Sequence, residues 1–352
     1  MVTFRRESNI EPPRYEEVGI PHRVVPVPSY RAYGAYGRAA WRLSQILRQE
    51  GVQILHAHHY WESVIAALIK RFYPAIKIVL SRHYTWDILR LGFIKRKVLL
   101  WMENWSYQMA DRLVVPTEYM ARLVKQLHTG GVRVEVIPYG FEFSAEKYRC
   151  PSQEGRWAVR TEQGVSEEHF VVINVASHRV QKGQHVLLKA FQEFYAAVPQ
   201  ARLWLVGEGP DTPMLKALAE ELGLLGGGAQ APCRFLGWRR GLEVRDLMAA
   251  ADLMVHPTFS EAFPQVMVEG LSLGLPLVIT PVSGAVDYLL HGETAWFVPI
   301  DNVEALKEAL LYLYLHPHER ASMAEKGRSF VREKFSYVRV NREYERLYES
   351  LI

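Results

Sequence analysis

Short apolar runs rich in β-branched residues alternate along most of the chain with longer amphipathic stretches. This alternation is typical of βαβ units around parallel sheets, because strands covered by helices on both faces are apolar throughout while each helix keeps a polar face. The apolar runs predict strands at 22–27, 53–57, 77–81, 112–115, 132–137, 170–176, 202–206, 233–236, 253–256, 277–280 and 295–297. The pattern therefore predicts an α/β protein.

A chain of 352 residues is longer than one ordinary domain, so two domains are expected. The segment Ile137-Pro138-Tyr139-Gly140 opens an irregular polar stretch that continues to about Glu168. Pro, Gly and polar residues between periodic segments are typical of a connection. We therefore expect an N-terminal domain over 1–142, a second domain over 143–328 and a C-terminal helix over 329–352.

The C-terminal stretch from Ser329 to Ile352 has the pattern of a charged amphipathic helix. Its apolar residues Phe335, Val338, Tyr344 and Leu347 are spaced to share one face. Such a face needs a surface to pack on. Both a return to the N-terminal domain and packing on the preceding domain satisfy this requirement.

Composition excludes several classes of protein. With 49% hydrophobic and 23% charged residues, the chain is neither disordered nor fibrous. No apolar run approaches the ~20 residues that span a bilayer, and the start of the chain lacks the apolar core of a signal peptide. Cys150 and Cys233 form no metal-ligand spacing. We expect structural cysteines and a cytoplasmic protein, with peripheral contact to the inner face of a membrane as an option.

Charge is distributed unevenly between the two halves of the chain. Residues 1–150 hold 22 Lys and Arg against 13 Asp and Glu, a balance of +9, whereas residues 151–352 hold 20 against 25, a balance of −5. A basic half fits an anionic partner, and a solvated basic face fits the same count. The segment Phe93 to Trp101 mixes cations with large apolar residues, as membrane-surface helices and buried helices with a charged outer face both do. No nucleic-acid signature accompanies the charge, so no nucleic-acid partner is expected.

The segment Ser260 to Gly270 carries the densest chemistry. It follows the predicted strand 253–256, and Pro264 suits the first turn of a helix that begins near Phe263. The N–H groups at such a terminus favour a diphosphate. Glu261 then lies in the loop and Glu269 about two turns inside the helix, so the two carboxylates can bind different parts of one elongated ligand. A helix cap and a solvated helix position explain the same two residues.

The Glu-x7-Glu pattern within EAFPQVMVEGLSLGLPLVIT resembles the signature of glycosyltransferase family 4, a large retaining family. Further segments similar to the family follow its order over roughly residues 50–350. They are ILHAHH from Ile54, ADRLVVPT from Ala110, VIPYG from Val136, VASHRVQKG from Val175, LVGEGP from Leu205, RFLGW from Arg234, ADLMVHP from Ala251, and residues 284–299. The resemblance implies the GT-B fold, in which two Rossmann-like domains face each other across a cleft, with the acceptor side in the N-terminal domain and the nucleotide-sugar site in the C-terminal domain.

The resemblance also implies roles for the carboxylates and for a basic pair. Glu261 would contact hydroxyls of the donor sugar, and Glu269 would bind the nucleotide ribose. Arg179 and Lys182 resemble the pair that holds the donor diphosphate and stabilises the charge that grows on it as it leaves. The family normally places the Arg five residues before the Lys, where this chain has Ser177. The assignment of Lys182 is therefore the firmer of the two.

Three residues of the first half are expected near the reacting groups. His83 ends a predicted strand where relatives carry a histidine close to the donor sugar. A histidine at a strand end also has structural roles, and this alternative stays open. His58 and Tyr60 are expected on the acceptor side.

The remaining implied donor contacts lie in two loops of the second half. Gly237 and Trp238 resemble the loop that meets the nucleobase. Phe263, Pro264 and Gln265 would supply the turn and the backbone near the phosphates.

The implied reaction transfers a hexose from a UDP- or GDP-sugar to a hydroxyl group of a glycan, lipid-linked or small-molecule acceptor, with retention of configuration, as in cell-surface polysaccharide biosynthesis. The sequence has no DxD motif, and the basic residues can neutralise a diphosphate. We therefore expect no metal and no cofactor. An inactive or partner-dependent sugar-nucleotide-binding subunit would keep the same donor residues and is the alternative.

The start of the chain departs from the family pattern. Family members open with a strand, a glycine-bearing loop and a helix, whereas Val2-Thr3-Phe4 already resembles the second strand and residues 22–27 the third. We expect the N-terminal domain to lack its first strand and helix. Because the opening strand of a doubly wound sheet is central, its absence would leave a gap in the sheet.

Overall fold

The computed structural model describes residues 2–5, 23–26, 33–84, 92–128 and 131–352. These divide into two compact units. The first unit comprises residues 1–115, 121–137 and 344–352, and the second comprises residues 116–120 and 138–343. The last nine residues of the chain therefore belong to the first unit.

The first unit contains parallel strands separated by helices. Its strands are β1 (Val2–Arg5), β2 (Arg23–Pro26), β3 (Ile54–His58), β4 (Lys77–Ser81), β5 (Arg112–Val115) and β6 (Val134–Val136). Its helices are α1 (Tyr33–Gln49), α2 (Tyr60–Phe72), α3 (Phe93–Met109) and most of α4 (Glu118–Leu127). Strands β3 to β6 form one sheet in the order β3-β4-β5-β6, and β1 pairs with β2.

The second unit is built around a six-stranded parallel sheet. Its strands are β7 (Phe170–Val175), β8 (Ala201–Val206), β9 (Cys233–Gly237), β10 (Leu253–His256), β11 (Leu277–Ile279) and β12 (Trp296–Phe297). Their order is β12-β11-β10-β7-β8-β9. This is a doubly wound order, in which the chain turns back between the adjacent strands β7 and β10. The predicted fold class, with two α/β domains around parallel sheets, is confirmed.

Helices cover both faces of the second sheet. They are α5 (Gln153–Glu162), α6 (Gln184–Ala197), α7 (Thr212–Glu221), α8 (Leu242–Ala250), α9 (Gln265–Ser272), α10 (Ser283–Val286), α11 (Val303–Leu315) and α12 (Pro317–Lys334). The last helix of the chain is α13 (Tyr337–Glu349), whose residues from Tyr344 onward belong to the first unit. Alternate residues of β7 supply two separate cores, since Val171 and Ile173 face one layer and Phe170 and Val172 the other. Among the described helices, none has the length and apolar character that would let it cross a bilayer.

The stretch predicted as an irregular connection contains the helix α5, so that part of the prediction is wrong. Ser152 caps this helix by accepting a hydrogen bond from the Gly155 N–H at 3.1 Å. The buried Arg160 guanidinium then pairs with Asp252 at 3.1 Å and donates to backbone carbonyls, including that of Ala250. These partners lie about 90 residues along the chain, so local polarity could not reveal them.

The single C-terminal helix predicted for residues 329–352 is two helices, since α12 ends at Lys334 and α13 begins at Tyr337. Phe335 lies between them and is fully buried, and its carbonyl accepts from the Phe141 N–H at 2.8 Å. Val338 does not share its apolar face, because 58% of Val338 is exposed.

At the N-terminus, β1 and β2 form a separate two-stranded parallel sheet. The ends of the strand predicted there, His22 and Val27, lie outside the described residues. The absence of a first strand and helix from the N-terminal domain stays a prediction.

Candidate functional site

The predicted donor residues of the second unit follow two neighbouring strands, β7 and β10. Lys182 comes seven residues after the end of β7, and Glu261 five residues after the end of β10. Both strands point their carboxyl ends to the same edge of the sheet, and the strand order reverses between them. In doubly wound sheets this reversal opens a crevice for a ligand.

Hydrogen bonds tie the two loops to each other. The Gln181 carbonyl accepts from the Phe259 N–H at 2.8 Å and from the Thr258 hydroxyl at 3.1 Å, and the Gln181 side-chain amide donates to the Ser260 carbonyl at 2.9 Å. Gly183 has a φ of 71°, and a Cβ at this position would overlap the carbonyl oxygen of Pro257. The close approach of the loops therefore requires glycine directly after Lys182.

Lys182 and Glu261 form an ion pair, and about four-fifths of each side chain is buried. The buried His256 places its Nε2 3.3 Å from a Glu261 carboxylate oxygen. Burial by itself would raise the pKa of Glu261, but the hydrogen bond with His256 and the charge of Lys182 outweigh it and lower that pKa. Glu261 is therefore an oriented, ionised carboxylate, which suits hydrogen bonding to sugar hydroxyls.

Of the two cations predicted to hold a diphosphate, the structure brings Lys182 to Glu261. Arg179 has an exposed side chain, and its carbonyl accepts from the Lys182 N–H at 2.8 Å. An ammonium group has three donors, so Lys182 keeps capacity for a phosphate oxygen beside Glu261.

The helix after Glu261 begins later than predicted. Pro264 has a ψ of 96° and precedes α9, whose first residue is Gln265, so the helix begins two residues after Phe263. Glu269 is therefore the fifth residue of α9, about one turn inside it, rather than two. Neither Glu261 nor Ser260 caps the helix. Instead, the Ser283 hydroxyl donates to the Glu261 and Ala262 carbonyls at 2.8 and 2.7 Å and holds the turn.

Glu269 lines a separate cavity of about 220 Å³. Cations surround this cavity, and they are Lys147, Arg239, Arg240 and Arg245. Burial raises the pKa of Glu269. The charge of Lys147, whose Nζ lies 3.9 Å from the carboxylate, acts in the opposite direction but is the weaker effect. A cavity lined by one carboxylate that accepts hydrogen bonds and by several cations can hold an anion that carries hydroxyl groups. A nucleotide is such an anion.

Trp238, predicted to meet the nucleobase, directly follows the last residue of β9, Gly237. It is 59% exposed, and the guanidinium of Arg240 lies 4.7 Å from its ring centroid. An exposed aromatic face beside a cation can stack on a base. The nucleobase role of Gly237 and Trp238 stays a prediction.

In the first unit, four histidines meet at the carboxyl ends of β3 and β4. His58 Nδ1 and His83 Nε2 share a hydrogen bond of 2.9 Å, and the ring of His59 lies 5.0 Å from that of His83. His56 stacks on His58 at 4.3 Å and hydrogen-bonds the Tyr348 hydroxyl at 2.7 Å. Burial, followed by the charges of neighbouring histidines, lowers the pKa of His56 to about 3 and that of His83 to about 4. Burial also lowers the pKa of His58, so the predicted residues His58 and His83 lie together as neutral rings near pH 7.

Tyr60 has a different environment from the one predicted. Its hydroxyl donates to the Leu99 carbonyl at 2.7 Å and so links α2 to α3. This contact gives Tyr60 a structural role, and its place on the acceptor side stays a prediction.

Sequence reasoning missed His59, His256, Ser283 and the cations around Glu269. His256 had a visible signal, because a histidine that ends an apolar strand five residues before Glu261 points to the same edge. The contacts of Ser283 depend on a loop 22 residues away and had none. In the part of the chain that the structure describes, no group of three or more His, Cys, Asp or Glu residues could hold a metal ion.

Comparisons with protein families cover both halves of the chain. A profile described as "Glycosyl transferases group 1" matches residues 155–330, and one described as "Glycosyltransferase Family 4" matches residues 2–145. The second unit, with Glu261 and Lys182, falls largely within the first match.

Individual proteins resemble the chain over most of its length. N-acetyl-α-D-glucosaminyl L-malate synthase of Bacillus anthracis is 25% identical over 315 residues, which are 89% of this chain and 78% of that protein. The lipopolysaccharide glucosyltransferase WaaG of Escherichia coli is 27% identical over 62% of this chain and 56% of its own. A crystal structure of HepE from Anabaena in complex with UDP superposes with a TM-score of 0.82 at 21% identity, over 96% of this chain and 88% of HepE. The last likeness shows a shared fold.

Proposed function

Because this chain belongs to the group 1 glycosyl transferases and is therefore a sugar-transferring enzyme that uses a nucleotide sugar, we propose that it transfers a hexose from a UDP- or GDP-sugar to an acceptor hydroxyl with retention of configuration. The observation that carries the proposal is the group formed by Lys182, Glu261 and His256 where the strand order reverses between β7 and β10. This group offers one cation for the diphosphate and one ionised carboxylate for sugar hydroxyls, side by side.

The donor lies with its diphosphate at Lys182 and the start of α9, its hexose at Glu261 and its ribose at Glu269. Charge grows on the diphosphate as it leaves, and a fixed ammonium in a partly buried site stabilises that charge more than it stabilises the bound substrate. The leaving phosphate oxygen takes the proton of the acceptor hydroxyl, and the acceptor attacks the same face of the sugar. Lys182 and the N–H groups at the start of α9 stabilise the diphosphate charge, and we expect transfer to proceed without a metal.

The acceptor belongs to the class of glycan, lipid-linked or small-molecule hydroxyl compounds. The names of two relatives support this range, since one is a glucosaminyl malate synthase and the other a lipopolysaccharide glucosyltransferase. For lipid-linked acceptors in cell-surface polysaccharide synthesis, the proposal includes cytoplasmic action with peripheral contact to the inner face of an anionic membrane.

Release of nucleoside diphosphate from a panel of UDP- and GDP-sugars, with and without candidate acceptors, tests the function. UDP-sugars come first, because the HepE structure contains UDP. We expect release of nucleoside diphosphate that depends on the acceptor and that excess EDTA leaves unchanged. Glu261→Gln should lower this release roughly 10- to 100-fold. The product detected by NMR should have the anomeric configuration of the donor. Donor binding without transfer to any acceptor would instead favour a sugar-nucleotide-binding subunit.

A further inference from the structure

The helix α3 carries large apolar side chains on its exposed side. Phe93, Ile94, Val98 and Trp101 are 61%, 78%, 51% and 68% exposed. With Lys97, their spacing places them along one stripe of the helix over its first three turns. We call these five residues the outer stripe of α3.

The opposite side of α3 carries a buried carboxylate, Glu103. Glu103, Ser106 and Tyr107 face the interior of the first unit. The Glu103 carboxylate pairs with the buried Arg82 at 2.8 Å and with His128 at 3.0 Å. Rotating the helix to bury the outer stripe would separate these charges inside the protein, which is strongly unfavourable. A buried ion pair therefore holds α3 in the orientation that leaves the outer stripe exposed.

Charge on α3 is also segregated. Lys95 and Lys97 are exposed, and the Lys97 ammonium lies 4.4 Å from the ring centroid of Phe93. The one carboxylate within Phe93–Met109 is Glu103, which is buried. The outward side of α3 therefore combines cations with aromatic and aliphatic side chains and presents no acid.

We propose that the outer stripe of α3 docks on the surface of an anionic lipid bilayer. Phe93, Ile94, Val98 and Trp101 enter the boundary between headgroups and acyl chains, and Lys95 and Lys97 contact lipid phosphates. A protein partner fits less well, because the centres of protein interfaces are depleted of lysine and Lys97 lies within the stripe. This surface deepens the membrane contact included in the proposed function, but vesicle binding and sugar transfer are measured separately and can fail separately.

Co-sedimentation with vesicles of phosphatidylcholine containing phosphatidylglycerol tests the surface, with pure phosphatidylcholine vesicles alongside. Val98→Glu and Val338→Glu form a matched pair, since both replace valine on a helix, at 51% and 58% exposure. We expect binding to anionic vesicles that weakens at high salt, falls on the order of tenfold in Val98→Glu and is unchanged in Val338→Glu. Replacing Lys95 and Lys97 together by Gln should weaken binding roughly 30-fold, with the apolar stripe intact.

Several results would overturn the assignment. These are no binding to anionic vesicles at low salt, equal binding to neutral vesicles, or equal loss in both valine variants. A dimer in light scattering that Val98→Glu dissociates, with no vesicle binding, would assign the stripe to a second copy of the chain instead. Donor-binding measurements on the same variants separate these results from a failure of the proposed function.

Discussion

Two carboxylates eight residues apart experience opposite electrostatics. The pKa of Glu261 is lowered by His256 and Lys182 despite its burial, whereas burial raises the pKa of Glu269. Glu261 pairs with Lys182, the residue predicted to bind phosphate, whereas Glu269 lines a separate cavity. Glu261 should therefore affect sugar transfer, and Glu269 the binding of the nucleotide.

We expect Glu261→Gln to lower kcat/KM for transfer roughly 10- to 100-fold, because this is the factor that corresponds to the free energy of one hydrogen bond to a charged group. Its Kd for free UDP or GDP should change little. Glu269→Gln should instead weaken nucleotide binding by roughly tenfold or more. Calorimetric titration and a diphosphate-release assay make the comparison, and equal loss of nucleotide affinity in both variants would contradict the division of roles.

Lys182 and Arg179 can be distinguished in the same assay. Lys182→Ala should weaken the donor and the free nucleoside diphosphate together, roughly 10-fold or more, because the lost contact is to phosphate. Arg179→Ala is the control, since its side chain is exposed while Lys182 pairs with Glu261. Unchanged diphosphate binding in Lys182→Ala would show that the phosphate role is wrong.

The backbone of His59 has φ 67° and ψ 176°, a conformation that residues other than glycine rarely adopt. Such strain costs the folded protein about 1–3 kcal/mol. Glycine would remove this strain, but its greater conformational freedom in the unfolded chain lowers the free energy of unfolding by about 0.5–1 kcal/mol. We therefore expect His59→Gly to raise Tm by about 2–4 °C. Asp301→Gly, at φ 56°, is the control and should give a smaller rise, because Asp tolerates left-handed backbone better. A lower Tm for His59→Gly in thermal unfolding would contradict the strain argument.

At the scale of elements, the loop after β7 depends on the loop after β10. Gly183 and Gly223 have nearly the same φ, 71° and 68°, but a Cβ would overlap Pro257 at Gly183 and meet open space at Gly223. Gly183→Ala should therefore lower the unfolding free energy by about 1–3 kcal/mol more than Gly223→Ala.

The same substitution should also weaken nucleotide diphosphate binding, because a shifted loop moves Lys182 away from Glu261. Denaturant titration and calorimetry on both glycine variants measure the two effects. Equal losses at Gly183 and Gly223 would mean that the loops approach each other less closely than described.

At the scale of the whole molecule, partly buried neutral histidines link stability to pH. The folded pKa values of His56 and His83, about 3 and about 4, lie below the ordinary 6.5. Between about pH 6.5 and pH 4 the unfolded chain binds protons that the folded chain does not. The contribution of these two histidines to the free energy of unfolding is therefore fully present above pH 6.5. It is lost as the pH decreases through this window.

Thermal unfolding from pH 7.5 to 4.5 measures this loss. We expect replacement of both His56 and His83 by Asn to flatten the slope, and replacement of the exposed His318 by Asn to leave it unchanged. An unchanged slope in the double variant would mean that other groups govern acid stability.

The sequence by itself determined the class of fold, the positions of most strands and which residues make up the proposed donor site. Strands such as Lys77–Ser81 and Leu253–His256 were predicted to the residue, because the apolar pattern of a buried strand is complete within a few neighbouring positions. The order of motifs likewise identified Glu261 and Lys182 without their geometry.

Only the tertiary structure decided which of these residues meet. Lys182 and Glu261 are 79 residues apart, and their contact depends on β7 and β10 being neighbours in the sheet. The orientation of α3 depends on the Arg82–Glu103 pair, and the helix α5 on the partners of Arg160. Contacts of this kind follow from strand order and burial over the whole domain, so no local pattern in the sequence records them.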